Sequence, residues 1–124
     1  MMTVSNLCTV GIVDDDGDVR DVLLALLESA GHTVKTYASG QQLLDDPELG
    51  DVACIVVDHR MPDMTGLELL RRLSALGRTI PSILITGSPD PKVAREARAL
   101  GALDSLIKPI DANKLLTLVA YAAQ

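Results

Sequence analysis

Two apolar stretches of the sequence end in carboxylates. The run Val10–Val13 is followed by Asp14 and Asp15, and the run Ala53–Val57 is followed by Asp58. If both runs are strands of one parallel sheet, three like charges meet at one edge, which is costly unless a cation sits among them. A divalent cation would neutralise these charges, so the acids predict a metal site.

Two further runs bring a hydroxyl and an ammonium to the same edge. The run Ile83–Gly87 carries Thr86, and the run Ser105–Pro109 carries Lys108. A metal-binding acid cluster, a hydroxyl and a lysine are together the parts needed to hold a phosphoryl group on a carboxylate. These residue types therefore indicate phosphoryl transfer to one of the acids.

The elements that must position these residues follow from hydrophobic periodicity. Short apolar runs predict five strands, at about residues 8–13, 33–37, 53–58, 82–86 and 105–107. Four stretches between or after them carry apolar residues at helical spacing. Their apolar faces are Val19, Val22, Leu23, Leu26, Leu27 and Ala30; Leu67, Leu70, Leu73 and Leu76; Val93, Ala94, Ala97 and Leu100; and Leu115, Leu118, Val119 and Ala122. A shorter helix is predicted from about Gln41 to Asp46.

Residues at the helix ends support these assignments. Gly31 is placed to end the helix that contains Val19 to Ala30, and Gly101 is placed to end the helix that contains Val93 to Leu100. Thr65 precedes a helix that has Glu68 three residues on, as in a capping box, and Asp111 is the expected N-cap of the last helix.

Alternation of strands and helices predicts right-handed crossovers onto a parallel sheet that is covered on both faces. We expect one α/β domain over residues 1–124, a flavodoxin-like, doubly wound sheet with strand order 2-1-3-4-5. Ligands of such sheets bind beyond the carboxyl ends of the strands, where the strand order reverses. That point lies between the first and third strands, which carry Asp14, Asp15 and Asp58.

Composition excludes several function classes. The net charge of −6 argues against direct nucleic-acid binding, which calls for an excess of Lys and Arg. Cys8 and Cys54 lie in apolar runs without CxxC spacing and are expected to be reduced thiols. With no signal-peptide pattern and no membrane-spanning apolar run, a cytoplasmic protein without membrane contact is expected.

Four short motifs in a fixed order resemble the receiver domain of two-component response regulators. They are Val13–Asp16, Val57–Gly66, Thr86–Gly87 and Lys108–Pro109. Each is weak alone, but together they extend the resemblance over essentially the whole chain. The amino-acid sequence around Asp58 and Thr86 is most similar to that of receivers of the nitrogen-fixation type, which are usually joined to a helix-turn-helix output domain. Receivers are themselves an example of the switch-point rule, so that agreement is not independent of the resemblance.

The resemblance implies a Mg²⁺ site and a phosphoryl acceptor. Asp58 would accept the phosphoryl group from a phosphohistidine on a sensor histidine kinase. Asp15 would bind Mg²⁺ directly and Asp14 at least partly through water, while Asp58 and the backbone carbonyl of Arg60 would each add one oxygen. The protein would act as a signalling switch, with self-catalysed phosphorylation and dephosphorylation, more than as a turnover enzyme.

The remaining family positions imply how the phosphoryl group is held and read. Lys108 and Thr86 would each contact a phosphoryl oxygen, and the Lys108–Pro109 peptide bond would be cis. Gly87 would leave room for the phosphoryl group, and Gly66 would begin the helix after the acceptor loop. The modified form would signal to an output domain or downstream protein, and the sequence leaves open whether phosphorylation also drives formation of a homodimer.

Some residues depart from this picture or stand outside it. Receivers usually carry Tyr or Phe where this chain has Ser105, which puts the usual coupling between the threonine and an aromatic ring in doubt. Arg60 and Ser88 match positions that tune the phosphate lifetime. Strand alternation predicts that His59 points away from the acids and packs, and His32 is interpreted as a turn residue.

Three other functions stay open from the sequence. The stretch Ile12–Gly17 also resembles the first motif of haloacid-dehalogenase-type phosphohydrolases, which would make Asp14 a nucleophile and Asp16 an acid/base. However, Asp18 stands where those enzymes usually have Thr. A flavin-binding module has the same fold, but acids occupy the loop that would have to bind phosphate. A receiver that signals only through unphosphorylated contacts is the third possibility.

Overall fold

The computed structural model of the chain describes residues 6–124. Its strands are β1 (Thr9–Val13), β2 (Thr33–Tyr37), β3 (Cys54–Asp58), β4 (Ser82–Thr86) and β5 (Ala102–Ile107). They form one parallel sheet in the order β2-β1-β3-β4-β5. The predicted strand order is therefore confirmed.

Helices cover both faces of this sheet. They are α1 (Gly17–Ser29), α2 (Gly40–Leu44), α3 (Gly66–Ala75), α4 (Pro91–Ala99) and α5 (Ala112–Ala122), and a 3₁₀ turn spans Leu49–Asp51. The core has two layers, one between the sheet and α2, α3 and α4, and the other between the sheet and α1 and α5. This is the doubly wound, flavodoxin-like arrangement that the sequence predicts.

The predicted element bounds differ from the structure mainly at β5 and α2. Strand β5 begins at Ala102 instead of Ser105, and its pairing with β4 is irregular beside Ser82 and Ile83. An irregular edge strand breaks the alternation from which its start could be predicted. Helix α2 ends at Leu44, short of the predicted Asp46, whose carboxylate bonds to other side chains.

Not every residue of the predicted apolar faces is buried. Val22 is 67% exposed and Leu76 is 64% exposed, and Ala30 also faces solvent. Successive residues in a helix are rotated by about 100°, so once Leu23 and Leu27 face the sheet, Val22 points away from it. Leu76 and Ala30 are the C-cap residues of their helices and lie beyond the last packed turn.

The predicted caps are present. The Thr65 hydroxyl accepts a hydrogen bond from the Glu68 N–H at 3.1 Å, and the Asp111 carboxylate accepts one from the Lys114 N–H at 3.2 Å. Gly31 has φ 99° just after α1, a left-handed conformation that glycine adopts without strain.

Burial and hydrogen bonding determine the role of His32 and the state of the two cysteines. His32 is not merely a turn residue, because it is 6% exposed and its Nδ1 accepts a hydrogen bond from the Cys8 N–H at 3.3 Å. Both cysteines are free, and burial raises the pKa of Cys54 to about 12, which leaves its thiol protonated and unreactive.

Within residues 6–124, no helix has the length and apolarity that a bilayer span requires.

A small polar network ties β2 to the loop after α2. The Tyr37 hydroxyl donates to Asp46 at 2.5 Å, and the Lys35 ammonium lies 2.9 Å from the same carboxylate oxygen. These hydrogen bonds, first from Tyr37 and then from Lys35, lower the pKa of Asp46 from 3.8 to about 2. Burial, followed by the bond to Asp46, raises the pKa of the Tyr37 hydroxyl.

The network predicts acid-dependent stability. Because the pKa of Asp46 is lower in the folded chain, its contribution to stability is fully present above pH 3.8 and is lost as the pH falls toward about 2. The difference in unfolding free energy between the wild type and Asp46→Asn should therefore be constant near neutral pH and should shrink between about pH 4 and pH 2. Urea denaturation across this range measures it. Asp21→Asn, at an exposed site on α1, should show no such narrowing; a gap that stays constant for Asp46→Asn would contradict the assignment.

Candidate functional site

Parallel pairing brings the acids together at one edge of the sheet. Val13 pairs with Val57, so Asp14 and Asp58 follow on adjacent strands at the same level. Asp14 is 3% exposed and Asp58 is 6% exposed, whereas Asp15 is open to solvent. One carboxylate oxygen from each of the three lies within 4.8 Å of the others. The structure thus forms the acid cluster that the sequence predicts.

The loop that carries Asp14 is held by backbone and side-chain hydrogen bonds. The Asp14 N–H donates to the Tyr37 carbonyl at 3.1 Å, and the Asp14 carboxylate accepts from the Asp16 N–H at 2.9 Å. The Arg20 guanidinium donates to the Asp14 carbonyl at 2.6 Å. Sequence reasoning did not single out Arg20, although it is the one basic residue in the first turns of α1.

Lys108 lies beside the Asp58 carboxylate. Its Nζ is 3.1 Å from Asp58 Oδ1, and its backbone N–H donates to the Thr86 carbonyl at 2.9 Å. The Lys108–Pro109 peptide bond is cis, as the resemblance implied. Burial by itself lowers the pKa of Lys108, but the hydrogen bond and charge of Asp58, with the charges of Asp14 and Asp15, together outweigh burial and raise the pKa. The ammonium is therefore charged at neutral pH.

The electrostatics of Asp14 are different. Burial is the largest influence and raises the pKa of Asp14, and the neighbouring charges of Asp58 and Asp15 act in the same direction. The hydrogen bond from Asp16 and the charge of Lys108 only partly offset this rise. Bringing buried acids this close therefore costs free energy, which a cation among them would relieve.

Thr86 is at the same edge but does not contact the acids. Its hydroxyl donates to the Ser88 carbonyl at 2.9 Å and accepts from the Ser88 N–H at 3.4 Å. The hydroxyl is thus occupied by the loop after β4.

His59 and Ser105 both line a cavity outside the acid cluster, together with Thr86. The His59 N–H donates to the Ile85 carbonyl at 2.8 Å. His59 is outside the acid cluster, as strand alternation predicts. The side chain of the next residue, Arg60, is exposed.

The donor set fits a hard dication. It consists of carboxylate oxygens alone, and three carboxylates against one ammonium leave two negative charges to be balanced. Mg²⁺ prefers oxygen ligands and is commonly held by one or two carboxylates together with substrate phosphates. Asp16, by contrast, is used to cap α1, where its carboxylate accepts from the N–H groups of Asp18 and Val19. The phosphohydrolase reading, which needs Asp16 as acid/base, is therefore not supported by the geometry.

Comparison with known proteins agrees with this geometry. A family model described as the response regulator receiver domain matches residues 10–120. The chain is 44% identical over 110 residues to the transcriptional regulatory protein FixJ of Azorhizobium caulinodans, covering 89% of this chain and 52% of that protein. It is 40% identical over 117 residues to FixJ of Rhizobium meliloti, covering 94% of this chain and 57% of that protein. The chain thus spans about half the length of these relatives.

Solved structures show the same likeness. The crystal structure of FixJ-N superposes with a TM-score of 0.83 at 40% identity, over 94% of this chain and 93% of that one. The response regulator StyR superposes with a TM-score of 0.87 at 37% identity, over 94% of this chain and 59% of that one. Sequence, fold and site geometry therefore agree that this chain belongs to the response regulator receiver domain family, with FixJ-like relatives.

Proposed function

We propose that this domain accepts a phosphoryl group on Asp58 from the phosphohistidine of a sensor histidine kinase. The observation that carries the proposal is the position of Asp58, a nearly buried carboxylate within the acid cluster and 3.1 Å from the Lys108 ammonium. A carboxylate can act as a phosphoryl acceptor when the charge on the moving group is neutralised.

Asp14, Asp15, Asp58 and the backbone carbonyl of Arg60 would hold Mg²⁺ in this site. When bound, Mg²⁺ neutralises the charge of the acids and of the incoming phosphoryl group. An Asp58 oxygen then bonds to phosphorus while the bond between phosphorus and the donor imidazole breaks, and the donor leaves with that electron pair. Lys108 is already close enough to move its contact from Asp58 to a phosphoryl oxygen.

The switch would involve Thr86. To donate to a phosphoryl oxygen, its hydroxyl must give up the 2.9 Å hydrogen bond to the Ser88 carbonyl, which frees the loop between β4 and α4. Phosphorylation would therefore shift an equilibrium between two arrangements of this loop, and a partner would bind one of them better. Hydrolysis of the aspartyl phosphate at the same site would return the domain to its resting state.

The relatives suggest what lies downstream. The two FixJ proteins named above are transcriptional regulators, each about twice as long as the aligned region. We therefore propose that the receiver signals to an output domain or to a separate downstream protein in the cytoplasm, and that it does not itself contact nucleic acid, given its net charge of −6.

Asp15→Asn should chiefly weaken Mg²⁺ binding. Asp15 is the exposed member of the acid cluster, so losing its charge removes a metal ligand without leaving a buried group unpaired. We expect Mg²⁺ affinity to fall about tenfold or more, since even outer-shell changes at metal sites cost about 10- to 100-fold. Isothermal titration of the unphosphorylated protein with MgCl₂ measures this directly.

Asp18→Asn is the matched control for the metal site. Asp18 is an exposed acid in the first turn of α1 and is outside the cluster. Asp18→Asn removes the same formal charge as Asp15→Asn. Its Mg²⁺ affinity should stay within about twofold of the wild type, because screened surface charges contribute little. Equal losses in both variants would mean that the metal responds to general charge and is not held by Asp15.

A further inference from the structure

A cavity of about 270 Å³ lies between α4 and the carboxyl ends of β4 and β5. It is next to the acid cluster but distinct from it, since none of the three clustered acids lines it. Its lining includes His59, which follows β3, Thr86, which ends β4, and Ser105, which lies within the edge strand β5. The open side is bordered by the loop that leads into α4.

A small residue on β5 borders this cavity. Ser105 pairs with the fully buried Leu84 and is one of the lining residues, so its short side chain takes up little of the space. An engineered cavity of about 150 Å³ is already large enough to bind benzene, so the space here is ample for one six-membered ring.

The lining is mainly apolar and carries a few polar groups. Leu84, Val93 and Ala94 supply apolar walls, while Ser105 and Ser88 supply hydroxyls. Two charged residues are in the lining: Arg60, which is exposed to solvent, and Asp90, whose carboxylate accepts from the N–H groups of Lys92 and Val93 as the N-cap of α4. Neither is a buried, unpaired charge that would select an ion. A lining of this kind suits a neutral, flat ligand with a single polar group.

His59 supplies a polar group that has no role in the acid cluster. Its Nδ1 is buried and has no hydrogen-bond partner among the described residues. No side-chain hydrogen bond at that nitrogen holds the ring in place, so rotation about the bond to the ring can turn Nδ1 toward the cavity. An imidazole nitrogen donates or accepts according to its tautomer, and a hydroxyl group satisfies either state.

We propose that this cavity is a binding site for a small neutral aromatic compound with one hydroxyl group, of the phenol class. The ring would lie against Leu84, Val93 and Ala94, in the space left by Ser105, and the hydroxyl would form a hydrogen bond with His59. Binding of this kind needs neither Mg²⁺ nor a phosphoryl group. It would give the receiver a chemical input at Thr86, beside the proposed phosphorylation site, independent of its kinase.

The direct test uses phenol itself as the probe, with the unmodified full chain in metal-free buffer. We expect saturable changes in ¹H–¹⁵N spectra at Ser88, Val93 and Ser105, with a Kd of about 1 mM or lower. That affinity, about −4 kcal/mol, is within the usual ligand efficiency for a molecule of this size. Changes that do not saturate, or that map elsewhere, would overturn the proposal, and they would leave the phosphoryl-acceptor role of Asp58 untouched.

Two kinds of variant test the cavity. Ser105→Phe fills the space and should weaken phenol binding at least about tenfold, while Ser105→Ala should bind as the wild type does. Ser29→Phe, at an exposed site on α1, is the matched control and should bind normally. If Ser105→Phe fails to fold, Ser105→Leu serves the same purpose. Undiminished binding by a folded, filled variant would refute the site.

The hydroxyl contact is tested separately. His59→Phe should weaken binding of phenol but not of toluene, which has the same ring and no hydroxyl. Cyclohexanol, which has the hydroxyl without the aromatic ring, should bind the wild type more weakly than phenol. Equal losses of phenol and toluene binding in His59→Phe would contradict the assigned hydrogen bond.

Discussion

Asp58→Asn is expected to abolish formation of the acyl phosphate while the fold is retained. The amide has the same shape as the carboxylate but cannot act as the acceptor, and neither Asp14 nor Asp15 is paired with Lys108 as Asp58 is. Removing one negative charge relieves repulsion from Asp14 and Asp15, and the Lys108 side chain, which is 41% exposed, can be hydrated once its partner is lost, so the fold should be retained. Intact mass measured after incubation with Mg²⁺ and acetyl phosphate, or with a phosphorylated kinase, reports the modification.

Asp63→Asn is the matched control for this experiment. Asp63 is exposed in the loop between β3 and α3, a few residues beyond the proposed acceptor, and it is not part of the acid cluster. It should take up phosphate as the wild type does. Undiminished uptake by Asp58→Asn, or a stable label mapped to Asp14, would overturn the assignment of the acceptor and revive the phosphohydrolase hypothesis.

Gly66→Ala is expected to destabilise the domain by about 2–3 kcal/mol. A Cβ at this position would lie 2.7 Å from Leu84 Cδ1, 2.9 Å from the Asp58 carbonyl oxygen and 3.1 Å from the His59 Cα. The contacts with Asp58 and His59 are backbone atoms, which cannot move aside as the end of a side chain can. Overpacking of this kind costs about 1–3 kcal/mol and displaces the backbone around it. Urea denaturation at neutral pH measures the loss.

Gly87→Ala separates this steric effect from the general effect of replacing glycine. Among residues 6–124, no atom other than those of Gly87 and its two chain neighbours lies within 4 Å of the position of a Cβ at Gly87, and its backbone is not in the left-handed region. Its unfolding free energy should stay within about 0.5 kcal/mol of the wild type. Similar losses in the two variants would show that close packing of Gly66 against Asp58 and His59 is not the cause.

The amino-acid sequence by itself specified the architecture and the acid cluster. Apolar runs and helical periodicity gave the order of elements, and Thr65 and Asp111 cap the helices that they were expected to begin. These features are local, because a cap or an alternating pattern acts within a few residues. The placing of Asp14 and Asp58 together also followed, since the ends of adjacent parallel strands must meet.

The sequence was less informative where distant residues compete for the same space. It did not predict that β5 begins at Ala102, that Val22 points to solvent, or that His32 receives a hydrogen bond from the Cys8 backbone. Each of these depends on how one element packs against another. A pattern within a single element carries no information about that contact.

At the site, the tertiary structure determined which groups touch. Loops that meet at the edge of the sheet determine three contacts. These are the 3.1 Å ion pair between Lys108 and Asp58, the hydrogen bond from Arg20 to the Asp14 carbonyl, and the hydrogen bond from Thr86 to the Ser88 carbonyl. The sequence showed that Ser105 is smaller than a ring but not whether other residues would fill the space. Side chains from separate strands close a cavity or leave it open according to their packing in three dimensions, which is decided only when the whole sheet and its helices have formed.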